Sequence, residues 1–198
     1  MKSSYAWNML VRLVVFLIFN SIISALRIAL AHEQDLARKD PLTGIANRRY
    51  FYEQAGFAIA GLRRHGRPFT FAYLDVDNFK AVNDRLGHEA GGFLLRQIAS
   101  TLDGGTRTLD LAARLGGDEF GILFSDTNVS SAEIVVKKLR DSLTAVMRTG
   151  GWPVTFSIGL MTFIDPPDSV NEMMAKADAI MYDVKLGGKD GFHCAIYP

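Results

Sequence analysis

Two short acidic segments hold most of the chemistry available to this chain: Asp75-Val76-Asp77, which closes an apolar run, and Asp118-Glu119, which follows Gly116-Gly117. Carboxylates delivered from two separate elements form an oxygen-donor set. Mg²⁺ suits such a set, because it takes one or two protein carboxylates and leaves its other positions to nucleotide phosphates and water. An isolated Asp-x-Asp at a strand end is ordinarily just solvated, but two coincident acidic turns argue for a metal site. Gly116 and Gly117 remove side chains where the backbone must turn tightly and could approach a phosphate. Lys80, Lys185 and Lys189 supply the charge a triphosphate needs, although each alone reads as a surface lysine. Lys185 and Lys189 stand one helical turn apart if the last helix continues that far, while Gly187-Gly188 is a stop signal that would leave Lys189 on a loop.

These residues need elements to position them. Asn47 is a suitable N-cap for a helix running to about Arg64, ended by Gly61 and Gly66-Arg67-Pro68. Phe69 to Leu74 reads as a buried strand, followed by a short helix near Phe79 to Leu86 and a longer one from about Gly91 to Leu102. Strands Leu109 to Leu115 and Phe120 to Phe124 are separated by Gly116-Gly117-Asp118-Glu119, the spacing of a hairpin with a glycine-rich turn. A helix from Ser131 to Met147, a strand Val154 to Thr162, a helix Val170 to Leu186 and a strand Phe192 to Tyr197 complete the pattern. The order predicts an α+β domain with a ferredoxin-like, antiparallel-containing sheet flanked by helices. Since many functions share that arrangement, the site must decide among them.

The first forty residues differ in character. Leu13 to Leu26 carries no charge, and Tyr5 to Ala31 contains only Arg12 and Arg27. This predicts one N-terminal transmembrane helix within residues 1–31, with Tyr5 and Trp7 as interfacial anchors. Arg27, Arg38 and Lys39 then set a cytoplasmic C-terminal side. The uncharged centre would rise only about 21 Å, so both arginines must snorkel. Lys2 before the apolar run and Ala29-Leu30-Ala31 after it leave a cleaved signal peptide as the competing reading, and a buried amphipathic helix as a third. Residues 32–40 then form a helical stalk, and 41–198 the catalytic domain. The expected location is the inner, cytoplasmic membrane.

With 198 residues, 48% of them hydrophobic and 22% charged, the chain can build one sizeable core but hardly two. A net charge of +1 offers no broad field for nucleic acid. The single cysteine, Cys194, reads as a small strand residue rather than a nucleophile.

The segment Arg114-Leu115-Gly116-Gly117-Asp118-Glu119-Phe120 resembles the signature of the GGDEF family of diguanylate cyclases. Asp40-Pro41-Leu42-Thr43-Gly44-Ile45-Ala46-Asn47-Arg48-Arg49, the stretch Asp75 to Gly91, Phe156-Ser157-Ile158-Gly159 and Ala177-Asp178 to Lys185 resemble its other landmarks in order, so the likeness covers about residues 38–198. The resemblance implies that two GTP molecules are condensed to cyclic di-GMP, with release of pyrophosphate. It implies two Mg²⁺ per site, with Mn²⁺ as a substitute, held by Asp75, Asp118 and the Val76 carbonyl. Glu119 would assist the metals or deprotonate the attacking 3′-hydroxyl, and Arg114 would stabilise charge on the α-phosphate. Lys80, Lys185 and Lys189 would contact phosphates, with Gly116 and Gly117 at the turn, and Asn83 would hydrogen-bond guanine. One GTP per domain implies a homodimer, which the membrane helix and stalk would arrange.

Arg107-Thr108-Leu109-Asp110, five residues ahead of Gly116, matches the family's RxxD inhibitory site for cyclic di-GMP, to which Lys138 could add a cation. Gly92 is a departure: the family usually has Asp there, accepting hydrogen bonds from the guanine edge. Its loss could reduce guanine discrimination by about 1–3 kcal/mol. Lys189, where arginine is usual, keeps the charge but loses the planar fork. The alternatives are a catalytically silent domain acting as a cyclic di-GMP receptor, and a cyclase of relaxed base choice.

Overall fold

Every residue of the nine-residue strand Phe69–Asp77 is buried, so this strand must lie inside a sheet covered on both faces. The structure, a computed structural model, describes residues 8–9, 11–24, 26 and 38–198. Within Lys39–Pro198, which forms one compact unit, the elements in chain order are β1 (Ala46–Asn47), α2 (Arg48–His65), β2 (Phe69–Asp77), α3 (Phe79–Gly105), β3 (Leu111–Gly116), β4 (Glu119–Phe124), α4 (Val129–Thr149), β5 (Thr155–Phe163), α5 (Val170–Leu186) and β6 (Gly191–Tyr197); the label α1 is kept for helical residues 11–24.

The sheet order is β1-β3-β4-β2-β5-β6. Its four central strands pair antiparallel, and β1 and β6 add parallel edges. The α+β expectation therefore fits, with the ferredoxin-like order at the centre of a mixed sheet. Strand alternation divides the core in two. Leu74, Val76, Phe120 and Ile158 face α3 and α4. Phe71, Tyr73 and Met161 face α2 and α5.

Local chemistry explains the helix ends. Asn47, Asn128 and Ser169 accept from the backbone N–H of Tyr50, Ser131 and Glu172 respectively, and Gly66 closes α2 in the left-handed conformation. The two helices expected between Phe79 and Leu102 are continuous but for Gly87, whose positive φ of 84° breaks the helix. β1, two residues long, has no periodicity to betray it. It exists because Ala46 and Asn47 pair with Ala113 and Arg114.

The expected transmembrane helix is overturned. Among the described residues no helix is long and apolar enough to cross a membrane. The membrane is accordingly withdrawn as a partner and as the device that pairs two chains. Tyr5, Trp7, Arg27 and stalk residues 32–37 lie outside the described residues. Arg38–Asp40 is not helical; Lys39 makes an isolated antiparallel bridge with Ala46.

Candidate functional site

The acidic segments meet at one end of the sheet. Asp75 lies directly opposite Glu119 across the β2–β4 ladder, so both carboxylates project from the same face. The Val76 N–H donates to the Asp118 carbonyl at 3.3 Å, tying the hairpin turn to the end of β2. That turn is open: Gly116 and Gly117 have φ of 153° and 50°, and a side chain added at either would meet nothing within 4 Å. The Gly117 carbonyl accepts from Arg114 Nη2 at 2.7 Å and Nε at 3.0 Å, and Arg114 Nη1 stands 3.2 Å from Asp40 Oδ1. The arginine thus holds the turn and joins it to the loop before β1. Burial opposes ionisation of Asp40, but hydrogen bonds from Thr43 and the Arg114 charge hold its carboxyl below the ordinary value.

On the α2/α5 face, Lys185 Nζ reaches Asp75 Oδ2 at 2.8 Å. Burial raises the Asp75 pKa, with Asp118 and Asp77 adding to it and Lys185 opposing them. Glu119 is likewise raised, first by burial, then by Asp75, Asp118 and Asp178, against a hydrogen bond from the Tyr73 hydroxyl. Tyr73 lies between Gly121 and Gly159 on the neighbouring strands. A side chain at Gly159 would strike the Ala177 carbonyl and the Met181 nitrogen. Glycine at that position therefore lets α5 lie on β5 and carry Lys185 to Asp75.

Asp75, Asp118 and the Val76 carbonyl form an all-oxygen donor set in which burial and like charge already disfavour the ionised carboxylate, a cost that a divalent cation would offset. Among the described residues no three His, Cys, Asp or Glu side chains gather around one point. Two carboxylates and a carbonyl are hard oxygen donors of the kind a divalent cation takes alongside phosphate and water. Asp77, in contrast, is structural. It is 2% exposed and accepts from Thr155 Oγ1, Ser157 Oγ and the Asp190 N–H.

The remaining expected residues divide between the two ends of the sheet: Lys80, Asn83, Gly92 and Lys189 belong to segments near the end of β2, whereas Arg107 and Asp110 precede β3 at the opposite end. Lys80 is exposed on the first turn of α3, and Lys189 Nζ donates to Asn78 Oδ1 at 2.9 Å on the loop after α5. The Asn83 carboxamide fills the space a side chain at Gly91 would take, whereas a Cβ at Gly92 would meet only Leu42 at 3.6 Å and Arg96 at 3.7 Å. Arg107 and Asp110 close a turn of their own. The Arg107 N–H donates to Asp110 Oδ2 at 3.2 Å, and the Asp110 N–H donates to the Arg107 carbonyl at 3.0 Å. The Arg107 side chain is exposed, as is Lys138 on α4. Cys194 is half-buried and its thiol is pushed up to about 11 by burial, consistent with a packing role.

Tyr73, Asp40 and Asp178 were missed from sequence. Tyr73 was within reach, since strand alternation puts it on the face of Asp75; nothing local marks Asp40 as the partner of Arg114.

An α+β sheet with carboxylates, a glycine turn and lysines converging at one end defines a nucleotide-handling catalytic domain. The family profile described as "Diguanylate cyclase, GGDEF domain" matches residues 37–191. The chain belongs to that family. It is 32% identical to the probable diguanylate cyclase DgcT of Escherichia coli over 90% of this chain and 40% of that protein. It is 32% identical to the response regulator PleD of Caulobacter vibrioides over 83% of this chain and 37% of that one. The chain thus spans less than half the length of these relatives. Among solved structures, the GGDEF domain of DgcB from Caulobacter crescentus, in complex with c-di-GMP, superposes with a TM-score of 0.74 at 30% identity, covering 80% of this chain and 95% of that one.

Proposed function

We propose that this domain is a diguanylate cyclase that condenses two GTP into cyclic di-GMP and pyrophosphate. The observation that carries this reading is the cross-strand pair Asp75 and Glu119, with Asp118 beside them and Lys185 2.8 Å from Asp75.

Diguanylate cyclases of this family generally use a divalent metal, and here Asp75, Asp118 and the Val76 carbonyl would hold Mg²⁺. Bound there, the ion would supply charge neutralisation and polarisation of the α-phosphate. The residues of the chain do the rest. Lys80, Lys185 and Lys189 bind and orient the triphosphate. Gly116 and Gly117 keep side chains clear of it, and Asn83 meets the guanine. Glu119, whose raised pKa suits proton acceptance, takes the proton of the attacking 3′-hydroxyl. Arg114 acts through its grip on the turn, keeping Asp118 and Glu119 in register, as well as through its charge. The 3′-oxygen of one GTP attacks the α-phosphorus of the other and pyrophosphate departs, so two domains must face each other as a homodimer. The nucleotide requirement puts the domain in contact with the cytoplasmic GTP pool. Arg107 and Asp110, with Lys138, would bind the product and inhibit.

Purified protein incubated with Mg²⁺ and GTP, ATP or both, with products identified by mass spectrometry, tests the reading. Cyclic di-GMP that disappears in Asp118→Ala supports it; a folded, dimeric protein that makes no cyclic dinucleotide refutes it. In that event the second reading, a receptor binding cyclic di-GMP at Arg107 and Asp110, stands on Gly92, the one feature that favours a silent site. Cyclic GMP-AMP from mixed substrates would mark relaxed base choice instead.

A further inference from the structure

The loop after α5 holds an unfavourable conformation. Lys189 and Asp190 have φ of 65° and 48°, two successive non-glycine residues in the left-handed region, directly after Gly188. Side chains disfavour that region, so the loop stays there only if its surroundings over-determine it. Three attachments do so. The Lys189 N–H donates to the Val184 carbonyl at 3.0 Å, and the Asp190 N–H to Asp77 Oδ2 at 3.2 Å. The third comes from another helix: Arg140 Nη2, on α4, donates to both the Asp190 carbonyl at 3.1 Å and Asp190 Oδ1 at 3.2 Å.

Arg140 sits there at a cost. Its Nε is buried and, among the described residues, has no hydrogen-bond partner, an arrangement that opposes folding unless the other end of the guanidinium gains more. The gain is the hold on Asp190. With the loop fixed, Lys189 Nζ rests on Asn78 Oδ1 at 2.9 Å, directly beyond the Asp75–Asp77 segment and beside the turn that carries Lys80.

We propose that Arg140 is a positioning residue. By clamping Asp190 it holds the strained loop that aims Lys189 at the substrate phosphates. The proposal rests on the assignment of Lys189 to phosphate binding. A preorganised ammonium loses less freedom when the triphosphate arrives, so the clamp acts on nucleotide binding more than on the chemical step.

Arg140→Gln and Lys189→Ala, singly and together, test this by steady-state kinetics with GTP and Mg²⁺. Each single variant is expected to raise KM about tenfold with kcat within about twofold, and the double variant to be no worse than Lys189→Ala alone, because both changes remove one coupled contact. Arg140→Lys, which keeps the charge but not the fork, should recover part of the loss. An unchanged KM in Arg140→Gln, or effects that multiply in the double variant, would overturn the clamp. Should Arg140→Gln fail to fold, Asp190→Asn weakens the same pair from the loop side and must show the same non-additivity. If the unsubstituted chain turns over no GTP, the cyclase reading fails instead, and the clamp is judged by the same cycle in calorimetric binding of GTP.

Discussion

Lys185 Nζ stands 2.8 Å from Asp75 Oδ2, the last turn of α5 against the end of the central strand. This ammonium compensates a buried carboxylate in the free domain, and under the proposed function it would be released to a phosphate once a cation takes over that carboxylate. Removing it costs both. Lys185→Met is expected to lower kcat/KM for GTP about 10- to 100-fold, the range of one charge-assisted contact, while Lys185→Arg retains an intermediate activity. Initial rates of pyrophosphate release check this; wild-type activity in Lys185→Met would remove the lysine from the site.

Gly159 controls the same contact from a distance. A methyl group there would be driven into the Ala177 carbonyl and the Met181 nitrogen, and backbone cannot step aside as a side chain can. Gly159→Ala should destabilise the domain by about 1–3 kcal/mol. Because α5 must move off β5 to admit it, activity should fall further than stability explains. Urea denaturation alongside turnover at a temperature where the variant is folded separates the two effects. Normal activity per folded molecule would show that Lys185 does not depend on this close packing.

Asp40 and Arg114 make the acid dependence of the fold specific. Burial alone would push the Asp40 carboxyl up, but hydrogen bonds from Thr43 and the charge and hydrogen bond of Arg114 leave it below its ordinary 3.8. A carboxyl depressed in the folded state contributes its full stability above the unfolded pKa and loses it as pH falls through the folded one. Asp40→Asn should therefore be less stable than the wild type by about 1–2 kcal/mol at pH 7, and the difference should narrow below about pH 4. Denaturation curves at pH 7 and pH 3 check this; a gap of constant size would mean that Asp40 contributes through its shape and not its charge.

Much of this architecture was readable from sequence, and particular residues explain where reading stopped. Helix α5 was expected at its observed bounds with Gly187-Gly188 as a stop signal, and the structure adds a cap at Ser169, so both of its ends are local. The hairpin was readable because Gly116-Gly117 must turn. Of the site, the carboxylates, the lysines and Asn83 were named as candidates by type and motif. What stayed hidden was their wiring. Asp40 and Arg114 are 74 positions apart and Arg140 and Asp190 are 50 apart; only strand order brings such pairs together. The membrane-spanning reading, drawn from a count of apolar residues, is overturned because no helix among the described residues is long and apolar enough to cross a membrane.

Gly92 offers the sharpest test of how this domain selects its base. Under the proposed function, residue 92 on α3 would stand where a carboxylate could accept from the guanine edge, an acceptor that glycine cannot supply. The space for one exists. A Cβ at residue 92 would meet Leu42 Cδ1 at 3.6 Å and Arg96 Nη1 at 3.7 Å, ordinary van der Waals contacts, so a side chain enters without displacing backbone. Arg96, one helical turn on, would sit close enough to orient an aspartate. Gly92→Asp should therefore fold like the wild type and raise the preference for GTP over ATP about 10- to 100-fold, the value of a hydrogen bond to a charged acceptor. Competition between the two nucleotides, scored by the cyclic dinucleotides formed, reads this directly. A preference that does not change would mean that Asn83 and its neighbours already satisfy the guanine edge, and that the loss of the carboxylate has been compensated within the site.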